Sequence, residues 1–389
     1  MAVDLATLSA DELQAETRAW LAANLPAGWM DAVDRGDDDA WTKLRLGVDY
    51  AEWCTRFGDA GYATPTWPAE YGAGLSLTPG QAKHVNDVLS HYKVPRPFNL
   101  IGIGMGGPTL IQWGTEEQKQ QLLHGIATNE EIWCQLFSEP GAGSDVAGLS
   151  TRAVRDGDEW VVNGQKVWTT LAHLSRWGML LARTNPDVPK HRGLTYFLMD
   201  MEQDGVDVRP LRQITGESEF NELFIEDAFI PEEHVVGGVD NGWSVAITTL
   251  MHERAGLAFA LQVDVHIQLR QLGELARERG VIDDPGIRDR LAQLHIEAQV
   301  LRLNAYRGLT ATMKRGAPGP EGSLGKWHWA EVNQAVAELA MDVAGASALV
   351  VDGPWPYRFL RSRANSIEGG TTEILKNIVA ERVLGLPRA

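Results

Sequence analysis

Cysteine is almost missing from this chain: Cys54 and Cys134 are the only two in 389 residues, far apart and outside any CxxC or Cys/His cluster. That excludes a disulfide framework and a structural zinc site, so both read as small core residues and no metal is expected. Positive charge is also scarce, with 35 Lys and Arg against 52 Asp and Glu and a formal charge of −17. Such a surface excludes nucleic acid and anionic membrane as partners, since both need cations to displace counterions. A small anionic ligand is still allowed, because backbone N–H groups, helix N-termini and a few arginines can hold one locally. No uninterrupted apolar run reaches bilayer length. The segment MAVDLATLSADELQ carries acids where a secretory signal carries bases, and no apolar stretch follows it, so a cytoplasmic location is expected.

What is present suits two or three packed units, with 44% apolar residues to fill a large core. Ser9 and Glu12 form a capping-box pattern ahead of Leu13, Trp20 and Leu21, and Pro26 stops that helix. Further helical periodicity covers 40–60, 79–91 and 115–123, separated by Pro- and Gly-rich connections. From 131 to 238 the texture turns to short β-rich runs, among them 178–183, 195–201 and 222–225. In GDEWVVNGQKVWTT the dipeptide Asn163-Gly164 predicts a hairpin turn. Beyond Asn241 long helical patterns return, interrupted at Pro285 and around 317–320. The expected fold is α+β and multidomain: an N-terminal helical domain over 1–130, a middle antiparallel β-barrel-like domain over 131–238, and a C-terminal four-helix bundle over 239–389.

LIGIGMGGP matches GxGxxG at Gly102, Gly104 and Gly107. Prolines stand where the preceding strand should be, and no βαβ alternation surrounds it, so the match reads as a loop or close helix packing. SEPGAGSDVAG, from Ser138 to Gly148, is a stronger candidate. Its glycines and serines suit a nest of N–H groups for phosphate oxygens, or equally a structural Ω-loop. Glu253 sits in a helical row with Ala246, Leu250, Leu257 and Ala260, where a carboxylate is costly. It is either a general base with a raised pKa or a partner of Arg254 or another arginine.

The run from LFSEPGAGSDVAG to WGMLLART resembles the flavin-domain signature of acyl-CoA dehydrogenases, and so do GYATPTWPAEYG, GLTYFLMDM, EFNELFIEDAFIPEEHVVG and IEGGTTEILKNIVAERVLGLPR. Together these blocks span nearly the whole chain. The resemblance implies FAD between the β domain and the C-terminal helices, and α,β-dehydrogenation of an acyl-CoA to the trans-2-enoyl-CoA. It also implies electrons passed to an electron-transfer flavoprotein and a homotetramer or dimer, with a heterotetramer as the variant known in steroid-degrading relatives.

Position by position, the resemblance implies Leu136 and Ser138 beside the flavin ring and Ser144 near phosphate or pantetheine. Trp168 and Thr170 would pack on and hydrogen-bond the isoalloxazine; on composition alone, Trp168 is as well an ordinary core residue in a chain with 14 tryptophans. Thr371 and Glu373 would hold the nucleotide. Arg277 or Arg279 would reach the cofactor of a neighbouring subunit, with Asp342 standing where many relatives carry glutamine. Ser144, Arg254 and Gly369 are assigned to substrate. The base is Glu253, matching the isovaleryl and long-chain branches, with Glu368 as the alternative. Glu368 falls one residue before the C-terminal catalytic position of the medium- and short-chain branches, which a gapless match gives to Gly369. The rival readings are a flavin-binding subunit without chemistry of its own, an oxidase or monooxygenase on this fold, and a purely structural helical scaffold.

Overall fold

The computed structural model describes residues 5–315, 319–350 and 353–387, without the side chains of 254–260. The N-terminal helices are α1 (Ala10–Asn24), α2 (Trp29–Asp34), α3 (Asp38–Leu46), α4 (Tyr50–Asp59), α5 (Pro79–His91), α6 (Gly107–Trp113) and α7 (Glu116–Ala127). Ser9 and Glu12 close the capping box of α1 as the sequence predicts. The periodicity over 40–60 is not one helix but two. Asp49 accepts from the N–H of Glu52 and caps α4, because an aspartate side chain competes with the helix backbone for its own N–H groups. Trp53, Phe57, Val85 and Leu89 are buried together in the core of this unit, with Trp20 packed at a tilt on its edge. Both cysteines are free and buried.

An eight-stranded sheet follows, built from β1 (Trp133–Leu136), β2 (Arg152–Asp156), β3 (Glu159–Thr170), β4 (Trp177–Arg183), β5 (Leu194–Asp200), β6 (Val206–Leu211), β7 (Phe220–Pro231) and β8 (Val235–Val236). Its path runs β6-β7-β3-β2-β4-β5-β8, with β1 beside β4. Most pairings are antiparallel; β1–β4 and β2–β4 are parallel, which the antiparallel expectation did not include. The hairpin turn is also displaced. Asp156 pairs with Glu159 across Gly157-Asp158, and Gly157 has φ +62°, as the first turn position of a two-residue hairpin demands. Asn163-Gly164 lies inside β3, at an irregularity opposite β7. There Asn163 exchanges hydrogen bonds with Asp227, and Gly164 presses on Thr151, leaving no space for a β-carbon.

The C-terminal part consists of α8 (Gly242–Glu278), α9 (Pro285–Arg315), α10 (Glu321–Ala344), α11 (Pro354–Ser362) and α12 (Thr372–Arg382). Helix α10 is central, packing on α8, α9 and α12, with the short α11 across it. Pro285 opens α9 rather than breaking it, since a proline at the first helical position gives up an N–H that would be unpaired anyway. Among the described residues no single helix is long and apolar enough to cross a membrane.

The three parts meet at the start of α8. Val245 and Ala246 pack with Met105, Leu110, Trp133 and Phe137. Thr249 bridges Thr109 at 2.9 Å and Tyr196 at 3.2 Å. The GxGxxG match serves this junction: Gly102–Gly106 is a π-helical turn leading into α6, Gly102 lies on the Asn99 side chain and Gly107 on the Trp67 ring.

Candidate active site

The Ser138 loop is fixed from below. Glu139 is buried and accepts from Lys166 Nζ at 2.9 Å, from the N–H groups of Ser150 and Thr151 at 2.6 and 2.9 Å, and from Ser150 Oγ at 2.7 Å. Lys166 also donates to the carbonyls of Phe137 and Leu181. Burial alone would raise the Glu139 pKa; the ammonium and these donors overcome it and hold the carboxyl down to about 2. Glu139 and Ala142 close the turn with two 3.0 Å main-chain bonds, while Gly141 and Gly143 have open space where a side chain would stand. At the tip, Ser144 Oγ donates to Thr371 Oγ1 at 3.4 Å across 227 positions of sequence. Thr371 caps α12, accepting from the N–H of Ile374, and Glu373 is exposed in the first turn of that helix.

The bulge of β3 adjoins the same loop, since the Ser138 carbonyl accepts from Val167 N–H at 3.0 Å. Trp168 has φ +60° and is 60% exposed. It is not an ordinary core tryptophan: a large residue is held in the left-handed region with its indole in the open, which costs energy that the surrounding sheet must supply. Its edge meets Phe220, which pairs with Thr170 across β3 and β7. Phe220 in turn lies under Arg361.

Arg361 grips Glu368 through both guanidinium amines, at 3.2 and 2.9 Å, and Asn365 Nδ2 donates to Glu368 at 2.8 Å. The alternative base is therefore tied down. Glu368 is followed by Gly369 and Gly370, with φ +63° and +100°. A β-carbon on Gly369 would stand 3.4 Å from Glu253 Oε1 and 3.5 Å from Lys326 Cε. The carboxylate of Glu253 thus lies directly against the turn that follows Glu368.

Among the residues named from sequence, the fold brings together Ser138, Ser144, Trp168, Thr170, Glu253, Gly369, Thr371 and Glu373. Leu136 does not join them: it is fully buried in the sheet, its side chain against Gly178. The Arg254 side chain, like those of Leu257 and Ala260, lies outside the described residues. Arg277 and Arg279 are exposed at the far end of α8, where Arg279 donates to Ser347. Asp342 accepts from Arg290 at 2.6 Å. From Glu253 to Arg277 is about 36 Å of α8, and from Lys326 to Asp342 about 24 Å of α10, at 1.5 Å per residue, so these three groups stand well away from the Glu253 end of their own chain. Sequence reasoning missed Arg361, Lys326 and the Glu139–Lys166 pair. Lys326 alone left a signal, as a lone cation in the otherwise uncharged SLGKWHWA.

Comparison with known proteins covers the same three parts. Models of the N-terminal, middle and C-terminal domains of acyl-CoA dehydrogenase match residues 9–130, 134–228 and 240–384. The chain belongs to the acyl-CoA dehydrogenase family. It is 41% identical to acyl-CoA dehydrogenase IpdE1 of Mycobacterium tuberculosis over 97% of this chain and 98% of that one. It is 44% identical to acyl-CoA dehydrogenase FadE34 of the same organism over 85% of this chain and only 45% of that longer protein. A solved steroid ACAD, Tcur3481-Tcur3483, superposes with a TM-score of 0.77 at 29% identity, over 100% of both chains. The dehydrogenase is accordingly an oxidoreductase acting on CH–CH bonds, and its cofactor is FAD. The site fits that group. Trp168 offers an exposed stacking face, and the Ser144–Thr371 contact joins a glycine-rich loop to the N-terminus of an eleven-residue helix, where phosphate oxygens are favoured.

Proposed function

We propose that this dehydrogenase removes two hydrogens from Cα and Cβ of an acyl-CoA, giving the trans-2-enoyl-CoA, with Glu253 as the base. The observation that carries the reading is where the two glutamates stand relative to the Gly369 turn. Glu253 Oε1 faces the Gly369 turn, whereas both Glu368 oxygens are held by Arg361. FAD, when bound, supplies the acceptor for the hydride leaving Cβ. Trp168, Thr170 and Ser138 would flank its ring, and Ser144, Thr371 and Glu373 would hold its remaining length. The thioester binds beside Glu253 and the Gly369 turn, where a backbone N–H near the base polarises its carbonyl and acidifies the α-proton. The Glu253 carboxylate then takes that proton. Ser144 and Arg254 serve the rest of the substrate.

An electron-transfer flavoprotein would be the partner that takes the electrons onward. The substrate is a bulky, ring-bearing or steroid-derived thioester, a reading supported by the likeness to a steroid ACAD. An assembly of two or four chains is supported by the distance of Arg277, Arg279 and Asp342 from their own site, since a neighbour could offer them to its partner's cofactor. A second, non-identical chain is a natural companion, because a relative at 44% identity has more than twice the matched length.

Anaerobic titration with straight, branched and ring-bearing acyl-CoAs, followed by flavin absorbance, tests the reading: bleaching supports it, and a yellow protein that no thioester bleaches overturns it. Glu253→Gln should retain FAD and lose turnover by at least about 10²-fold, as expected for loss of a positioned base. Near-normal turnover in that variant would return the role to Glu368.

A further inference from the structure

Lys326 is 1% exposed in the wall of the site, and a buried ammonium is costly unless its surroundings use it. It lies on the buried face of α10, near Gly325, Trp329 and Ala330. Its Nζ donates to the carbonyl of Asn365 at 2.7 Å and to that of Gly370 at 2.9 Å. Both acceptors belong to one turn, five residues apart, and the turn contains the two positive-φ glycines. Glycine has the widest backbone freedom of any residue, so a Gly-Gly turn does not hold a fixed shape by itself. Arg361 and Asn365 restrain its Glu368 side. Lys326 restrains the Gly370 side. The lysine Cε and Glu253 Oε1 lie 3.5 and 3.4 Å from the position a β-carbon on Gly369 would take, so stem, turn and carboxylate are neighbours.

We propose that Lys326 is a positioning residue for proton abstraction, clamping the 365–370 turn against Glu253. The inference rests on the assignment of Glu253 as base. Its chemical sense is geometric: a base must sit within hydrogen-bond reach of the α-proton, and a misplacement of about 1 Å can cost on the order of 10²-fold in rate.

The test compares holoenzyme carrying Lys326→Met, Lys326→Gln and Lys326→Arg. Lys326→Met should keep FAD and thioester affinity within about 3-fold while slowing anaerobic flavin bleaching by about 10-fold or more, a loss confined to the chemical step. Amide exchange over residues 365–371 should accelerate in the same variant. Lys326→Arg, which keeps charge and donors, should recover most of the rate and the protection. Bleaching of Lys326→Met at the wild-type rate, or unchanged exchange in the turn, overturns the proposal. Where Lys326→Met does not fold, Lys326→Gln decides: slow bleaching in the folded variant supports the role and a wild-type rate overturns it. A wild-type flavin that no thioester bleaches would sink the dehydrogenation reading alone, because exchange in the turn still reports whether Lys326 holds it.

Discussion

Glu139 and Lys166 are both buried and paired at the root of the Ser138 loop. Each charge is expensive in isolation, and the pair persists because five hydrogen bonds satisfy the carboxylate and ammonium between them in addition to their mutual contact. Removing one partner strands the other, so Glu139→Gln should destabilise the fold by about 3–5 kcal/mol, measured by urea denaturation at pH 7. The pH dependence has a fixed sign. The folded-state pKa of Glu139 is depressed to about 2 from 4.5, so its contribution is complete above about pH 4.5 and is lost as pH falls toward 2. Stability of the wild type should decline through that window, and Glu139→Gln should flatten the decline; equal slopes in both proteins would contradict the assignment.

At the scale of elements, glycines act by what they let approach. Gly107 opens α6 directly on the Trp67 ring, and an added β-carbon there would overlap the indole. Gly107→Ala should therefore lower stability by about 1–3 kcal/mol, as overpacking does, with FAD content unchanged when the folded fraction is compared. Loss of FAD without loss of stability would instead revive a nucleotide-binding role for the GxGxxG match. Gly157 and Gly164 show the same contrast in the sheet. The first is needed for a positive φ, the second for close contact with Thr151. A turn dipeptide cannot declare which of these it serves, because strand pairing decides where the chain reverses.

At the scale of the whole molecule, α9 carries an apolar row made of Ile296, Val300, Leu303, Tyr306 and Met313, all exposed and three to seven residues apart. A row of this kind on a chain of net charge −17 is a place for other chains to bind rather than for solvent. Light scattering of Ile296→Glu/Leu303→Glu should give a smaller mass than the wild type, with the fold intact by circular dichroism. An unchanged mass would remove α9 from the assembly surface.

Sequence alone determined the order helices, sheet, helices, the capping of α1, the long helix after Asn241 and the family with its cofactor. These depend on local periodicity and on contiguous motifs, which one chain displays directly. Glu253 was legible as a carboxylate in an apolar helical row, and Ser144 and Thr371 through resemblance. Only the tertiary structure decided that Glu368 is locked by Arg361, that Leu136 turns into the sheet, that Lys166 neutralises Glu139 and that Lys326 closes on the Gly369 turn. Each of these joins residues distant in sequence or depends on which way a side chain faces, and spacing along the chain carries no information about either.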